Sequence, residues 1–512
     1  MWLFARAVVW WSLAVVVLWG ACGSASDPPI SVIPAPAELS IDDGTLELTR
    51  DVRIVASAGT EPTAELLAPI LRRSTGFAVP VAAGTAGRAG DIVLVLDAGR
   101  AELGEEGYEL VVADQVTIRA ASPAGVFYGC QTLRQLLPPA IERRGLVADA
   151  SWPIPRVTIT DHPRFAWRGF MLDVARHFFG VDEVLRYIDL IASYKLNRLH
   201  LHLTDDQGWR IAIASRPLLT EVGAQTQVGG GPGGYFTRED YATIVDYAAA
   251  RFVTVVPEID LPGHTNAALA SYAELNESGQ ATQPYTATSG GFSSLWLTDP
   301  GALAFATDVL TEIAAMTPGP YVHIGGDEAY ATAPEQYAAF IAELQVILRD
   351  RGKTMIGWEE VTKANVTPGF VGQFWLAEAR ASEIVAKGGR VIVSPATHAY
   401  LDMQYDFETP AGQSWAGFTN VEKAYAWDPV PVGLGEADVL GVEAPLWTEF
   451  VTTPAEIDLM VFPRLPGHAE IGWSPAAPRT WDEYRERLAR HGERLDAMGV
   501  GYYRATNVDW PR

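Results

Sequence analysis

Asp327 and Glu328 stand in succession behind an apolar run and two glycines, in His323-Ile324-Gly325-Gly326-Asp327-Glu328. Successive residues of a strand point to opposite faces. Two glycines just before the pair let the backbone leave strand geometry and aim both carboxylates the same way. A carboxyl held beside another, in a pocket walled by indoles, has its pKa raised and keeps its proton, as a general acid must. A solvated acidic turn or a metal site is the alternative reading. The position at the end of an apolar strand favours catalysis.

Similar polar clusters end seven other apolar runs. They are Asp173 to His177, His200-Leu201-His202 through Asp205-Asp206 to Arg210, and Pro257-Glu258-Ile259-Asp260-Leu261-Pro262-Gly263-His264. Further along come Trp358, Trp375, Tyr400-Leu401-Asp402 and Trp447-Thr448-Glu449. His200 and His202 alternate on one strand face, so a metal site is one reading. Residues ahead of a strand end lie in a dry barrel interior, so hydrogen-bonded core histidines are the favoured one. Glu258 and Asp260 equally suit a structural ion-pair network at the rim.

These clusters need a scaffold that brings eight strand ends together. Candidate strands are Phe170–Asp173, Arg198–Leu203, Val253–Glu258, Tyr321–Gly325, Thr354–Gly357, Val371–Trp375, Val391–Ser394 and Leu440–Leu446. Amphipathic helical stretches separate most of them: Val181–Leu196, Arg238–Ala250, Ala302–Ala315 and Pro334–Arg351. The alternation predicts an α/β fold, a (β/α)8 TIM barrel over 160–512, whose working residues come from the C-terminal strand ends. Residues 31–155 read as a small α+β domain. Its strands include Asp91–Leu96, Tyr108–Val112 and Val116–Ala120, and its helix runs from Ala124 to Leu137. Trp152-Pro153-Ile154-Pro155 reads as the linker.

Residues 1–26 read as a leader: one early Arg, an apolar run from Ala7 to Trp19, then small residues. Export is the expectation. Cys22 after Gly20-Ala21 resembles a bacterial lipobox, so simple cleavage and a lipid anchor at Cys22 both stay open. Cys130 would then be alone in the mature chain, and packing rather than a disulfide must hold it. The formal charge of −24 excludes nucleic acid as a partner, because binding it needs a basic face, and it disfavours anionic glycans and lipid surfaces. Neutral sugars are unaffected, and 16 Trp give stacking faces for pyranose rings, although most Trp belong to the core.

Taken together and in order, the runs Lys195-Leu196-Asn197 through Arg210, Asp260 to His264 and His323 to Glu328 resemble glycoside hydrolase family 20, the β-N-acetylhexosaminidases. The likeness covers nearly the whole mature chain, small domain included. It implies Glu328 as acid/base, Asp327 as partner of the substrate's 2-acetamido N–H, and Tyr400 as donor to the acetamido oxygen. It further implies Trp358, Trp375 and Trp447 as walls around the terminal sugar. Arg176, Asp402 and Glu449 would hold its hydroxyls, and Asp205 with His264 would support Glu328. The implied reaction is retaining, exo-acting release of terminal GlcNAc or GalNAc from neutral oligosaccharides, with the acetamido oxygen as nucleophile and no metal or organic cofactor. A sugar-binding barrel without catalysis would have no need of the Asp327-Glu328 pair. A disaccharide-releasing relative would lack a pocket closed by Arg176, Asp402 and Glu449.

Overall fold

The computed structural model describes residues 30–477 and 479–511; the leader and Cys22 lie outside them. Eight parallel strands close into a barrel: Trp167–Asp173, Arg198–His202, Thr254–Glu258, Tyr321–His323, Thr354–Trp358, Val371–Phe374, Arg390–Val393 and Val439–Leu446. All eight fall where the sequence placed them, within a few residues at the ends. Parallel strands covered on both faces are continuous apolar runs, and the first and last are buried at every position.

The helix Val181–Ser193 buries Val184, Tyr187, Ile188 and Ile191, the apolar stripe that identified it. It stops before the expected Leu196 because Lys195 turns into the left-handed region at φ +63° and enters the interface with the small domain. There Lys195 Nζ donates to Asp161 Oδ2 and to Tyr108 Oη, both at 2.8 Å, and lies 4.5 Å from the Trp473 ring. Arg168, near the start of the first barrel strand, donates through both NH groups to Glu106 at 3.0 and 2.8 Å. The small domain therefore braces the N-terminal end of the barrel, opposite the strand ends that carry the polar clusters.

The small domain holds a seven-stranded mixed sheet with Glu38–Glu47 at one edge and Val81–Ala83 at the other. Its helix Pro123–Leu136 buries Val126, Phe127, Cys130 and Leu133, and Cys130 is a free buried thiol. The expected linker is a correction: Pro153–Asp161 is a strand of this sheet, paired with Glu38–Glu47 and Tyr108–Val112. Pro153 and Pro155 fit because that half of the strand pairs only with Glu38–Glu47, so the missing amides are not needed on the other side. The sheet therefore reaches Asp161. No helix among the described residues is long and apolar enough to cross a membrane.

Candidate active site

A cavity of about 430 Å³ opens at the C-terminal ends of the strands, with Asp327 and Glu328 on its surface. Gly325 and Gly326 both have positive φ, +66° and +96°. A side chain at 325 would put its Cβ 1.8 Å from Asp260 Oδ1, so the close approach of the third and fourth strand ends demands glycine. Gly326 N donates to that same carboxylate oxygen at 3.0 Å. Glu328 itself sits at φ +42° and His264 at φ +54°, conformations that cost about 1–3 kcal/mol each for residues with a Cβ. The surrounding hydrogen bonds fix this strain where the chemistry would take place.

Burial, then the neighbouring Asp327 charge, pushes the Glu328 carboxyl above the usual carboxylate range. His264 Nε2 lies 3.6 Å from Glu328 Oε2 and 3.7 Å from Asp327 Oδ2. The other ring nitrogen of His264 lies 3.2 Å from Asp205 Oδ1. Against the cost of burial, Asp205 and Asp327 hold the His264 imidazolium, whose pKa is well above its ordinary value. Asp205 is itself shared. Its Oδ2 lies 2.6 Å from an Arg176 NH group and 3.1 Å from His202 Nε2. Despite its burial, Arg176 and His264 keep this carboxyl well below the usual range. Asp205 thus links the support of Glu328 to the far end of the cavity, a connection the sequence reading confined to His264.

At that far end Arg176 is gripped from two sides, by Asp205 and by Asp173 Oδ2 at 3.3 Å, and lies 4.9 Å from the Trp447 ring. Its Nε has no partner among the described residues. Glu449 Oε2 and Asp402 Oδ1 are likewise buried and unpartnered. Gln413 Nε2 donates to the other oxygen of Asp402 at 3.0 Å. Burial and the Glu449 charge lift Asp402 to about 7.

The side walls are aromatic. Trp375 and Tyr400 lie parallel with centroids 6.3 Å apart, and Tyr400 faces Trp447 at 6.1 Å. Burial and the nearby Asp327 hold the Tyr400 hydroxyl protonated, so it keeps a proton to donate near neutrality. Of the residues singled out from sequence, Asp205, Trp358 and Asp402 are almost wholly buried and stand behind the lining. Trp358 is the clearest change from expectation. It packs under Trp447 at 5.7 Å and donates its indole N–H to Glu258 at 2.8 Å, so it props a wall more than it forms one.

His200 and His202 are ion-paired core residues, as their position in the strand implied. His200 Nδ1 lies 2.8 Å from Glu443 Oε1, and His202 Nδ1 lies 2.5 Å from Glu258 Oε2. Glu258 is the centre of this network rather than part of a rim cluster. Ligand atoms of His200, Glu258 and His323 approach one another closely enough to hold a metal ion, as do those of His202, Glu258 and Asp260 and those of His264, Asp327 and Glu328.

Four further residues at the site lie outside those singled out from sequence. Tyr330 and Trp415 are exposed at the mouth, Gln413 aligns Asp402, and Glu360 accepts from Trp375 Nε1 at 3.2 Å. Burial and Asp327 raise Glu360 to about 7. Glu360 follows Trp358-Glu359 directly, and an acid just past a strand end was the available cue.

A TIM barrel with a raised carboxyl beside a second one, in a cavity walled by aromatic rings, has the features of a carbohydrate-cleaving hydrolase. The profile for "Glycosyl hydrolase family 20, catalytic domain" matches residues 165–337 and 329–476, and that for "Glycosyl hydrolase family 20, domain 2" matches 29–162. A β-N-acetylhexosaminidase of Cellulomonas fimi is 42% identical, over 94% of this chain and 98% of that protein. The GH20 β-N-acetylhexosaminidase structure from Streptomyces coelicolor A3(2) superposes with a TM-score of 0.91 at 47% identity, covering 94% of this chain and 99% of that one. A mutant Streptomyces plicatus β-hexosaminidase in complex with the product GlcNAc gives 0.91 at 48%, covering 94% and 98%. The chain belongs to glycoside hydrolase family 20.

Proposed function

We propose that this protein is an exo-acting, retaining β-N-acetylhexosaminidase that removes terminal GlcNAc or GalNAc from neutral glycans. The observation that carries the reading is the buried Asp327 Oδ1, which has no partner among the described residues and lies in the same cavity as the Tyr400 hydroxyl and the Glu328 carboxyl. An orphaned buried acceptor is costly unless a ligand donor satisfies it, and the N–H of a 2-acetamido group is such a donor. With that N–H on Asp327 and the acetamido oxygen held by Tyr400, the oxygen attacks C1 from within the substrate. Glu328 gives its proton to the departing glycosidic oxygen, so the C1–O bond breaks as the oxazolinium ring closes. Glu328, now a carboxylate, takes a proton from water as the water oxygen attacks C1 and reopens the ring. Two displacements return the original configuration. An internal nucleophile is effective because no second molecule has to be positioned.

The unpartnered atoms of Arg176 and Glu449 on the cavity lining, with that of Asp402 just behind them, support recognition of the terminal sugar's hydroxyls at this end of the cavity. The homologous structure with bound GlcNAc agrees with that ligand class. Asp327→Asn tests the mechanism. Its loss falls on kcat more than on KM, and the rate declines with each fluorine placed on the N-acyl methyl. A rate indifferent to fluorination with bond cleavage limiting, or a trapped sugar ester on a protein carboxylate, overturns it.

The apolar run from Ala7 to Trp19 and Gly20-Ala21-Cys22 support an exported protein, with lipid attached at Cys22. Intact mass of the mature protein checks this: an N-terminus beyond residue 22 without acyl chains removes the anchor and leaves export standing.

A further inference from the structure

Tyr330 is two residues beyond Glu328 and lines the same cavity, yet it is 74% exposed, unlike the buried Trp375, Tyr400 and Trp447. Its hydroxyl donates to Glu328 Oε1 at 3.3 Å, and its backbone N–H donates to the Glu328 carbonyl at 2.6 Å. The ring is seated over Gly291: a Cβ there would come 2.7 Å from Tyr330 Cδ2, and the residue has φ +74°. The preceding Gly290 packs against the His264 ring in the same way. Two glycines thus let one loop lie flat under the tyrosine and beside the carboxyl.

Arg176 and Glu449 line the cavity with buried, unpartnered atoms, whereas Tyr330 beside Glu328 is exposed, so it is the Tyr330 side of Glu328 that faces whatever departs. We propose that Tyr330 forms this leaving-group side, its hydroxyl holding the Glu328 carboxyl and its exposed ring carrying the first sugar beyond the scissile bond. The proposal rests on Glu328 being the acid/base. Aromatic faces stack on the apolar faces of pyranose rings, and this one is presented at the cavity mouth directly beside the acid.

The hydroxyl has a second consequence. Burial and the Glu328 charge push Tyr330 up to about 12, so it stays a donor throughout the working range. A donated hydrogen bond favours the carboxylate form of Glu328, as do His264 and Arg176, whereas burial and Asp327 favour the acid. Glu360 and Asp327 are the other charged groups facing Tyr330. Tyr330 therefore restrains the rise in the Glu328 pKa, which suits a group that must first give a proton and then take one.

Two variants separate the two roles. Tyr330→Phe keeps the ring and removes the donor. The basic limb of kcat/KM for chitotriose then moves up by about 0.5–1 pH unit, while KM stays within about twofold. Tyr330→Ala removes both, and KM for chitotriose rises about three- to tenfold. Inhibition by free GlcNAc, which occupies the Arg176 and Glu449 end, is unchanged in both variants, and a distorted site would not give that result. An unmoved limb in Tyr330→Phe, or an unchanged KM in Tyr330→Ala, overturns the proposal. Glu328→Gln is the control for its premise. Loss of the basic limb there assigns that limb to Glu328, and its persistence with full activity means that the acid/base assignment has failed.

Discussion

The barrel interior and the cavity above it are both crowded with buried ionisable groups, but they treat their carboxylates in opposite ways. In the interior every oxygen of Glu258 and Glu443 is matched. Trp358 donates to one oxygen of Glu258, and His202 and His200 lie against the other. His200 and Gln373 meet one oxygen of Glu443, and Trp167 donates to the other at 2.9 Å. At the rim, Asp327 Oδ1, Asp402 Oδ1 and Glu449 Oε2 are buried without partners among the described residues. A matched charge network holds a shape, whereas an unmatched one stores free energy that a ligand recovers. The two layers touch at His202, which bridges Glu258 below and Asp205 above, so the rim is built on a rigid base.

Substitution should therefore affect the two layers differently. The largest effect is expected at Glu328. Glu328→Gln should lower turnover of chitobiose by about 10²–10⁴-fold, less for a nitrophenyl leaving group, which needs little protonation. Its melting temperature should change by less than about 2 °C, because Glu328 has only a long hydrogen bond from the exposed Tyr330 and a 3.6 Å approach to His264 to lose. Equal losses for good and poor leaving groups would place Glu328 outside proton transfer.

Glu258→Gln should show the reverse pattern. Removing the centre of a buried network costs about 3–5 kcal/mol, read as a lower denaturation midpoint at constant slope. A variant as stable as the parent would break the contrast between the layers.

The same network sets a pH signature. Although burial opposes it, Glu443 and Glu258 raise His200 to about 9, and Glu258 and Asp205 raise His202 to about 10. Groups with a raised folded pKa stabilise fully below their unfolded value of about 6.5, and that stability is lost as the pH rises through the folded values. Glu258 is shifted the other way, well down, by the three histidines against its burial. Its contribution is complete above the ordinary carboxylate range and is lost only on strong acidification. Thermal melts between pH 6 and pH 10 should fall on the alkaline side, and the fall should shrink in Glu258→Gln. The smallest effect is expected at Gln413. Gln413→Ala frees Asp402 from one hydrogen bond and should raise KM about two- to tenfold with kcat little changed. A change confined to kcat would place Gln413 with the reacting atoms.

Much of this contrast could be read before any fold was known. Gly325-Gly326-Asp327-Glu328 announces itself, since glycines ahead of paired acids have few structural uses. His200 and His202 could be assigned to the core because they lie ahead of a strand end. Tyr330, Gln413 and Trp415 could not, because a lone tyrosine, amide or indole in an irregular loop has no period and no characteristic neighbour. From sequence alone the Pro-bearing strand from Pro153 reads as a linker for a related reason. Proline argues against a strand until one knows that half of it has a neighbour on one side only.

The sequence by itself determined the eight buried strands, the carboxylate pair and the indoles around it, because burial on both faces and backbone strain restrict which residues are tolerated. Only the tertiary structure decided which of those side chains face the cavity and which stand behind it. It seated Trp358 on Glu258, shared Asp205 between Arg176 and His264, and left Tyr330 exposed beside the acid. These are contacts between residues far apart in the chain or on irregular loops. Their partners are set by the closure of the barrel, which local residue patterns do not encode.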